Sequence, residues 1–192
     1  MSADMLTNKL PGKGTNIFTL MSKMAQDHGA INLAQGFPDF DGPSALLEGV
    51  ARHIAMGHNQ YAPLAGVPEL REQIAAKVLD LYGCQVDPGC EVVVTPGATE
   101  AIFIAITAVV NPGDEVIVFD PAYDTYEPGV ILNGGITKHI NLQYPDFAID
   151  WQQVRDTIND RTRLIILNTP HNPTGTLWSD EDIRNLREAI AG

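Results

Sequence analysis

The sequence predicts an α/β fold: an incomplete, mostly parallel sheet with helices on both faces, preceded by an N-terminal arm. Three observations predict it. From residue 91 onward, short β-branched runs alternate with stretches of helical periodicity. The runs EVVVTP (91–96), EVIVFDP (115–121) and RLIILNTP (163–170) are almost continuously apolar, the mark of strands buried on both faces. The segments between them are long enough to hold crossover helices, so neighbouring strands are parallel and the crossovers right-handed.

Residues 1–45 are rich in turn signals, LPGKG and GFPDFDGP, around one helical stretch, IFTLMSKMAQDHG at 17–29, with Gly29 as its stop. They read as an arm. Helical periodicity resumes in SALLEGVARHIAMG (44–57), behind Pro43, and in PELREQIAAKVLDLYG (68–83), which starts on a proline and ends on a glycine. The strand at 91–96 leads into a helix from about 98 to 110, then the turn NPGD (111–114) and the strand at 115–121. A helical segment around 124–133 ends at Gly134-Gly135, and ITKHINL (136–142) is the next strand. WQQVRDTIND (151–160) is a helix, 163–170 a strand, and the last helix opens on Ser179 with Asp182 at the capping-box position.

Composition narrows the function. Of 192 residues 44% are hydrophobic and 19% charged, which suits a soluble globular protein, and 12 basic against 24 acidic residues give a net charge of −12. Nucleic acid and anionic membranes bind through clustered Lys and Arg, so neither is an expected partner. The longest apolar run, AIFIAITAVV, falls well short of the ~20 residues that span a bilayer. The first residues carry no signal or transit pattern, and cytoplasm is expected. Cys84 and Cys90 fit neither a metal pair nor a redox pair and read as reduced thiols. Asp39 and Asp41 lack the later ligands of a calcium loop, and the histidines have no metal-ligand spacing, so no metal is expected.

In an open parallel sheet ligands belong at the carboxyl ends of the strands, which directs attention to three segments. TPGATEA, after Val94, is a glycine turn opening into a helix: the free amides of Ala98, Thr99 and Glu100 and the Thr99 hydroxyl suit an anion, provided Glu100 points away. It is neither GxGxxG nor a Walker loop, and taken alone it also reads as a simple turn with a satisfied helix end. DPAYDTY, after Phe119, offers Tyr123 and Tyr126 to a planar heterocycle, or equally as caps on the core. NTPHNPTG (168–175), after Leu167, would turn its Asn and His side chains to the same crevice from a proline- and glycine-rigid loop; in isolation it is only a tight turn.

Taken together, GFPDFDGP, NQYAPLAGVPELREQIA (59–75), VVVTPGATEAI (92–102), NPGDEVIVFDPAYDTY (111–126) and ILNTPHNPTG (166–175) resemble, in order, the signatures of the class I/II aminotransferases that use pyridoxal 5'-phosphate. INLAQGFPDFDGP is most similar to the methionine and kynurenine/glutamine aminotransferase branch. The resemblance implies that Ala98 and Thr99 hold the cofactor phosphate, that Tyr123 stacks on the pyridine ring, and that Asn172 donates to the phenolic oxygen with His171 behind it. It further implies that Tyr61 reaches the phosphate of a partner subunit's cofactor in a homodimer, and that the backbone at Gly36 meets the substrate carboxylate. Residues 1–45 would be the arm and small-domain segment, and 46–192 an incomplete cofactor-binding domain.

The family also needs a Schiff-base lysine, an acidic partner for the pyridine nitrogen and an arginine for the substrate. Lys9, Lys13, Lys23, Lys77 and Lys138 are the only lysines, and none lies in a Ser-x-x-Lys context. No catalytic residue is therefore assigned. The expectation is the N-terminal half of a truncated enzyme; the other reading is a short, non-catalytic cofactor- or partner-binding module. For the complete protein the expected reaction moves an amino group from an L-amino acid (methionine, aromatic or glutamine-like) to a 2-oxo acid. A carbon-sulfur β-lyase of the same fold is the mechanistic rival.

Overall fold

The computed structural model describes residues 8–11, 14–36 and 38–191. Residues 1–7 of the arm, Gly12 and Lys13 of the LPGKG turn, Phe37 of GFPDFDGP and the final Gly192 lie outside them. Two compact units part between Val94 and Thr95, the second also taking in 8–11. The sequence reading places its boundary at 45/46 instead, a point inside the helix Ser44–Ala55; that helix and the next group with the arm helix.

The first unit holds α1 (Ile17–Asp27), α2 (Ser44–Ala55) and α3 (Pro68–Tyr82). Their ends follow local chemistry. The Asn16 side chain accepts from the Phe18 amide at 2.7 Å, Pro68 opens α3 where no amide is needed, and Gly83 closes it in the left-handed conformation. The expected strand at 91–96 does not form. Val92 is buried, but the ties of that run include a bond from the Val94 amide to the Ala65 carbonyl (3.0 Å) and one from Arg71 Nε to the Val92 carbonyl (2.9 Å) rather than a ladder. A β-branched run becomes a strand only when a neighbour completes the ladder, and among the described residues none does.

The second unit is α/β: α4 (Ala98–Val109), β1 (Glu115–Asp120), α5 (Tyr126–Leu132), β2 (Ile136–Asn141), α6 (Trp151–Thr157), β3 (Thr162–Ile165) and α7 (Asp180–Ala189). The strands form a parallel sheet in the order β2-β1-β3, with Val118 opposite His139 and Asp120 opposite Asn141. Burial on both faces holds for β1 alone; β2 and β3 flank it and are partly exposed. The period of two along β1 feeds two cores. Val116 and Val118 pack with Ile106 of α4, Val110 that caps it, and Tyr126 and Val130 of α5, while Ile117 and Phe119 pack with Ile140, Leu142 and Val154. Each such side chain contributes about 1.5–3 kcal/mol by leaving water.

Three elements are shorter than expected. The helix at 151–160 stops at Thr157, and a turn follows in which the Thr162 amide donates to the Asn159 carbonyl and the Asn159 amide to Thr162 Oγ1. The strand at 163–170 loses its ladder after Ile165, although the Ile166 amide still reaches the Ile117 carbonyl at 3.0 Å. The segment at 124–133 is helical from Tyr126. After it, Gly135 is required by packing: a Cβ there would stand 2.7 Å from Val110 and 2.8 Å from Val130. The capping box of α7 forms as expected, with the Asp182 amide 3.1 Å from Ser179 Oγ and the Ser179 amide 2.8 Å from Asp182 Oδ2. Trp151 Nε1 also donates to Asp182 Oδ1 at 3.0 Å, tying α6 to α7.

At the amino end of β1, Glu115 is wholly buried. Asn159 Nδ2 donates to its Oε2 at 2.9 Å and Arg161 Nε to its Oε1 at 2.9 Å, with Lys138 Nζ 3.5 Å away. The Asn159 bond foremost, then the Arg161 guanidinium, hold the carboxyl below its usual range against the opposing effect of burial. A buried charge demands such partners, and here they come from β2 and the turn before β3.

Candidate functional site

Two of the three segments that the sequence singles out follow strands of this sheet, DPAYDTY after β1 and NTPHNPTG after β3; TPGATEA follows a run that forms no strand and is joined to the first of them by the Thr99–Tyr123 contact. Helix α4 begins at Ala98 after Gly97, whose φ of 89° is left-handed, and no side chain caps it. Space beside Gly97 is open, since a Cβ there would meet nothing within 4 Å. The first-turn amides of Ala98, Thr99 and Glu100 therefore end the helix as bare donors at its positive pole. The Thr99 hydroxyl stands 3.2 Å from the Tyr123 hydroxyl, which joins the first turn of α4 to the loop after β1.

Of the two readings given to Tyr123, the structure shows the cap on the core. Its ring packs against the core formed by Ile106, Val116 and Val130 and meets Tyr126 edge to face at 5.7 Å, while its hydroxyl reaches Thr99. An aromatic with an apolar body and a polar tip can pack on a core and still make a polar contact.

The loop after β3 is organised from within. The Asn172 amide donates to Asn168 Oδ1 at 2.8 Å, Gly175 N to the His171 carbonyl at 2.7 Å and His171 N to the Thr176 carbonyl at 2.8 Å. Asn172 is exposed. His171 does not face the crevice with it; only 4% of its surface is exposed. Its Nδ1 lies 2.8 Å from Thr174 Oγ1, which lies 2.7 Å from Thr176 Oγ1. Burial pushes its pKa down, against the Phe119 carbonyl, which favours the charged ring. His171 thus works as an internal brace between this loop and the end of β1. Sequence reasoning missed Asn168, Thr174 and Thr176, although Asn and Thr spaced two to four residues apart in a turn are a recognisable signal for side chains that bond nearby backbone.

Of the other expected site residues, Tyr61 and Gly36 belong to the 12–94 unit. Tyr61 is fully exposed, and nothing lies within 4 Å of where a Cβ would sit on Gly36. The edge of the second unit thus gathers Ala98, Thr99 and Tyr123, with Asn172 on the loop that His171 braces against β1. Amides at the start of α4 and the paired hydroxyls of Thr99 and Tyr123 make this end of the unit rich in hydrogen-bond donors.

Comparison with known proteins identifies the family. Residues 28–191 match the family model for aminotransferase class I and II. Methionine aminotransferase of Escherichia coli K12 is 57% identical over 185 residues, 96% of this chain and 48% of that protein. A probable N-succinyldiaminopimelate aminotransferase of Mycobacterium tuberculosis is 42% identical over 187 residues, 96% of this chain and 47% of that one. The crystal structure of the E. coli methionine aminotransferase superposes with a TM-score of 0.94 at 56% identity, covering 98% of this chain and 49% of the other. The structure of the M. tuberculosis enzyme gives 0.91 at 41%, covering 96% and 48%. The chain spans about half the length of these relatives, and over that span it belongs to the class I and II aminotransferases, a family dependent on pyridoxal phosphate.

Proposed function

We propose that this chain supplies the cofactor-phosphate side of an aminotransferase that moves an amino group from an L-amino acid to a 2-oxo acid, with methionine the foremost donor and aromatic or glutamine-like amino acids behind it. The 57% identity to a protein named methionine aminotransferase supports the donor. The observation that carries the site is the pair of hydroxyls, Thr99 and Tyr123, 3.2 Å apart at the uncapped start of α4.

The residues present fit pyridoxal 5'-phosphate, because the donors here carry no competing carboxylate cap and the space at Gly97 is open. When bound, that cofactor supplies the electron sink that amino-group exchange requires. The amides of Ala98 and Thr99 and the Thr99 hydroxyl bind phosphate oxygens, and the helix terminus favours their charge. Tyr123 lends its ring as a flat platform. Asn172 donates to the phenolic oxygen, and the brace at His171 keeps its loop still. Gly36 leaves its backbone open to a substrate carboxylate. In a homodimer, Tyr61 of a second copy reaches toward the phosphate; its full exposure supports a role outside its own unit. The chemistry belongs to amino-acid metabolism in the cytoplasm, and the net charge of −12 supports a protein that avoids nucleic acid and anionic membranes.

Titration of the chain with pyridoxal 5'-phosphate, followed by calorimetry and by the 31P resonance, tests the site. Saturable binding is expected, weakened roughly tenfold in Thr99→Val, the worth of one hydrogen bond to a charged group. Equal affinity in Thr99→Val, or no binding by folded chain, would overturn the assignment.

A further inference from the structure

The end of α2 brings two imidazoles together. The Gly57 amide donates to the Ile54 carbonyl and the His58 amide to the His53 carbonyl, each at 3.0 Å, with Gly57 at a φ of 89°. These are the paired reverse bonds of a helix closed by a left-handed glycine. Such a closure sets the residue after the glycine against the residue three before the cap, and an apolar pair commonly fills that contact. Here both are histidine. The rings of His53 and His58 have centroids 5.3 Å apart and planes tilted by 58°, so they are near neighbours without stacking. Both residues are exposed, and their side chains are open to a solute.

We propose that His53 and His58 form a two-histidine site for a divalent transition-metal cation of the zinc class. Neutral imidazole is a preferred ligand of such ions. Zn–N bonds of about 2.0 Å at a tetrahedral centre place two bound imidazole centroids about 5 Å apart, close to the separation already present. The backbone holds both residues near that separation before any ion arrives, because the His58 amide is tied to the His53 carbonyl. The carbonyl pole of α2 and the net charge of −12 favour a cation here, against the positive charge of Arg52 in the last turn. Among the described residues no third histidine, cysteine or carboxylate completes the shell, so water fills the remaining positions. The spacing in the sequence leads to an expectation of no metal, and the turn overturns it at this pair. Residues five apart do not share a face of a continuous helix, but the chain leaves the helix at Gly57 and brings them together.

The site stands apart from the cofactor reading, and its test uses Zn2+ alone. Titration of the full chain with zinc chloride at about pH 7.5, above the ordinary imidazole range, is followed by calorimetry and by the histidine ring resonances. A saturable site is expected, with the His53 and His58 resonances moving together. His53→Asn and His58→Asn should each weaken it by about tenfold or more, since the second ligand binds an ion already held by the first. The double variant should bind within about twofold of either single one, the mark of two ligands on one ion. His28→Asn, a third exposed histidine of the same unit, should leave the affinity unchanged. Both ligands are exposed, so the variants keep the fold, and circular dichroism checks it. Four results would each overturn the proposal: no saturable binding, wild-type affinity in either single variant, single losses that add in the double variant, or an equal loss in His28→Asn. Failure of the chain to bind pyridoxal 5'-phosphate would count against the cofactor site and leave this one standing.

Discussion

The units before and after Val94 use the same kind of helix to different effect. Both are built from amphipathic segments, yet α1, α2 and α3 contain no buried residue, whereas α4, α5 and α6 contribute Ile106, Val130 and Val154 to a core. The difference lies in β1. Four consecutive apolar residues, Val116 to Phe119, are buried on alternate faces and give each neighbouring helix a surface to lie on. An apolar stripe stabilises a helix only when something faces it. Leu20 and Leu79, on well-formed helices, remain 50% and 52% exposed.

That contrast is open to direct attack. The largest expected effect is Ile117→Ala, which empties a fully buried position and should cost about 2–5 kcal/mol by urea unfolding, whereas Leu79→Ala should cost no more than about 0.5 kcal/mol. Equal losses would remove the contrast. Next comes the acid edge of stability. Because the Glu115 pKa is lower folded than unfolded, its contribution is complete above the ordinary carboxyl range and disappears as pH falls through the lowered value. Unfolding measured between neutral and acid pH should therefore decline in wild type, while Glu115→Gln should start lower and decline less.

Gly97→Ala should cost about 1–2 kcal/mol, since a φ of 89° strains any residue with a Cβ while the open space around it adds no clash. Thermal unfolding measures the strain. The smallest of the core-unit effects is Ser179→Ala, about 1 kcal/mol from losing one capping partner of α7. A Ser179→Ala loss as large as that of Ile117→Ala would mean that the α6–α7 layer, tied by Trp151 to Asp182, carries more of the unit than the core does.

Features governed by nearest neighbours were legible beforehand. The Ser179–Asp182 box, the proline start and glycine stop of α3, and the glycine turn into α4 all depend on residues within about one helical turn, so their chemistry is written locally. Thr99 and Tyr123 could be named separately from their positions after strand-like runs, but their contact spans 24 residues of chain. The run at 91–96 was misread because a strand is a property of a pair of segments, whereas its β-branched residues report only one. Position alone has His171 facing the crevice and the family resemblance puts it behind Asn172; its burial excludes the first and accompanies its bonded contact with Thr174 and, through that, Thr176.

The sequence by itself determined the alternation of strand and helix, the family and the residue types at the carboxyl edge, because periodicity, turn residues and motif order are carried in one dimension. Tertiary structure alone decided which apolar run became a buried strand, and that Glu115 would be enclosed by Asn159 and Arg161 from more than 40 residues away. The physical reason is the same in each case. Burial and ion pairing are set by distances in space, and those are fixed only when separate segments meet in one register.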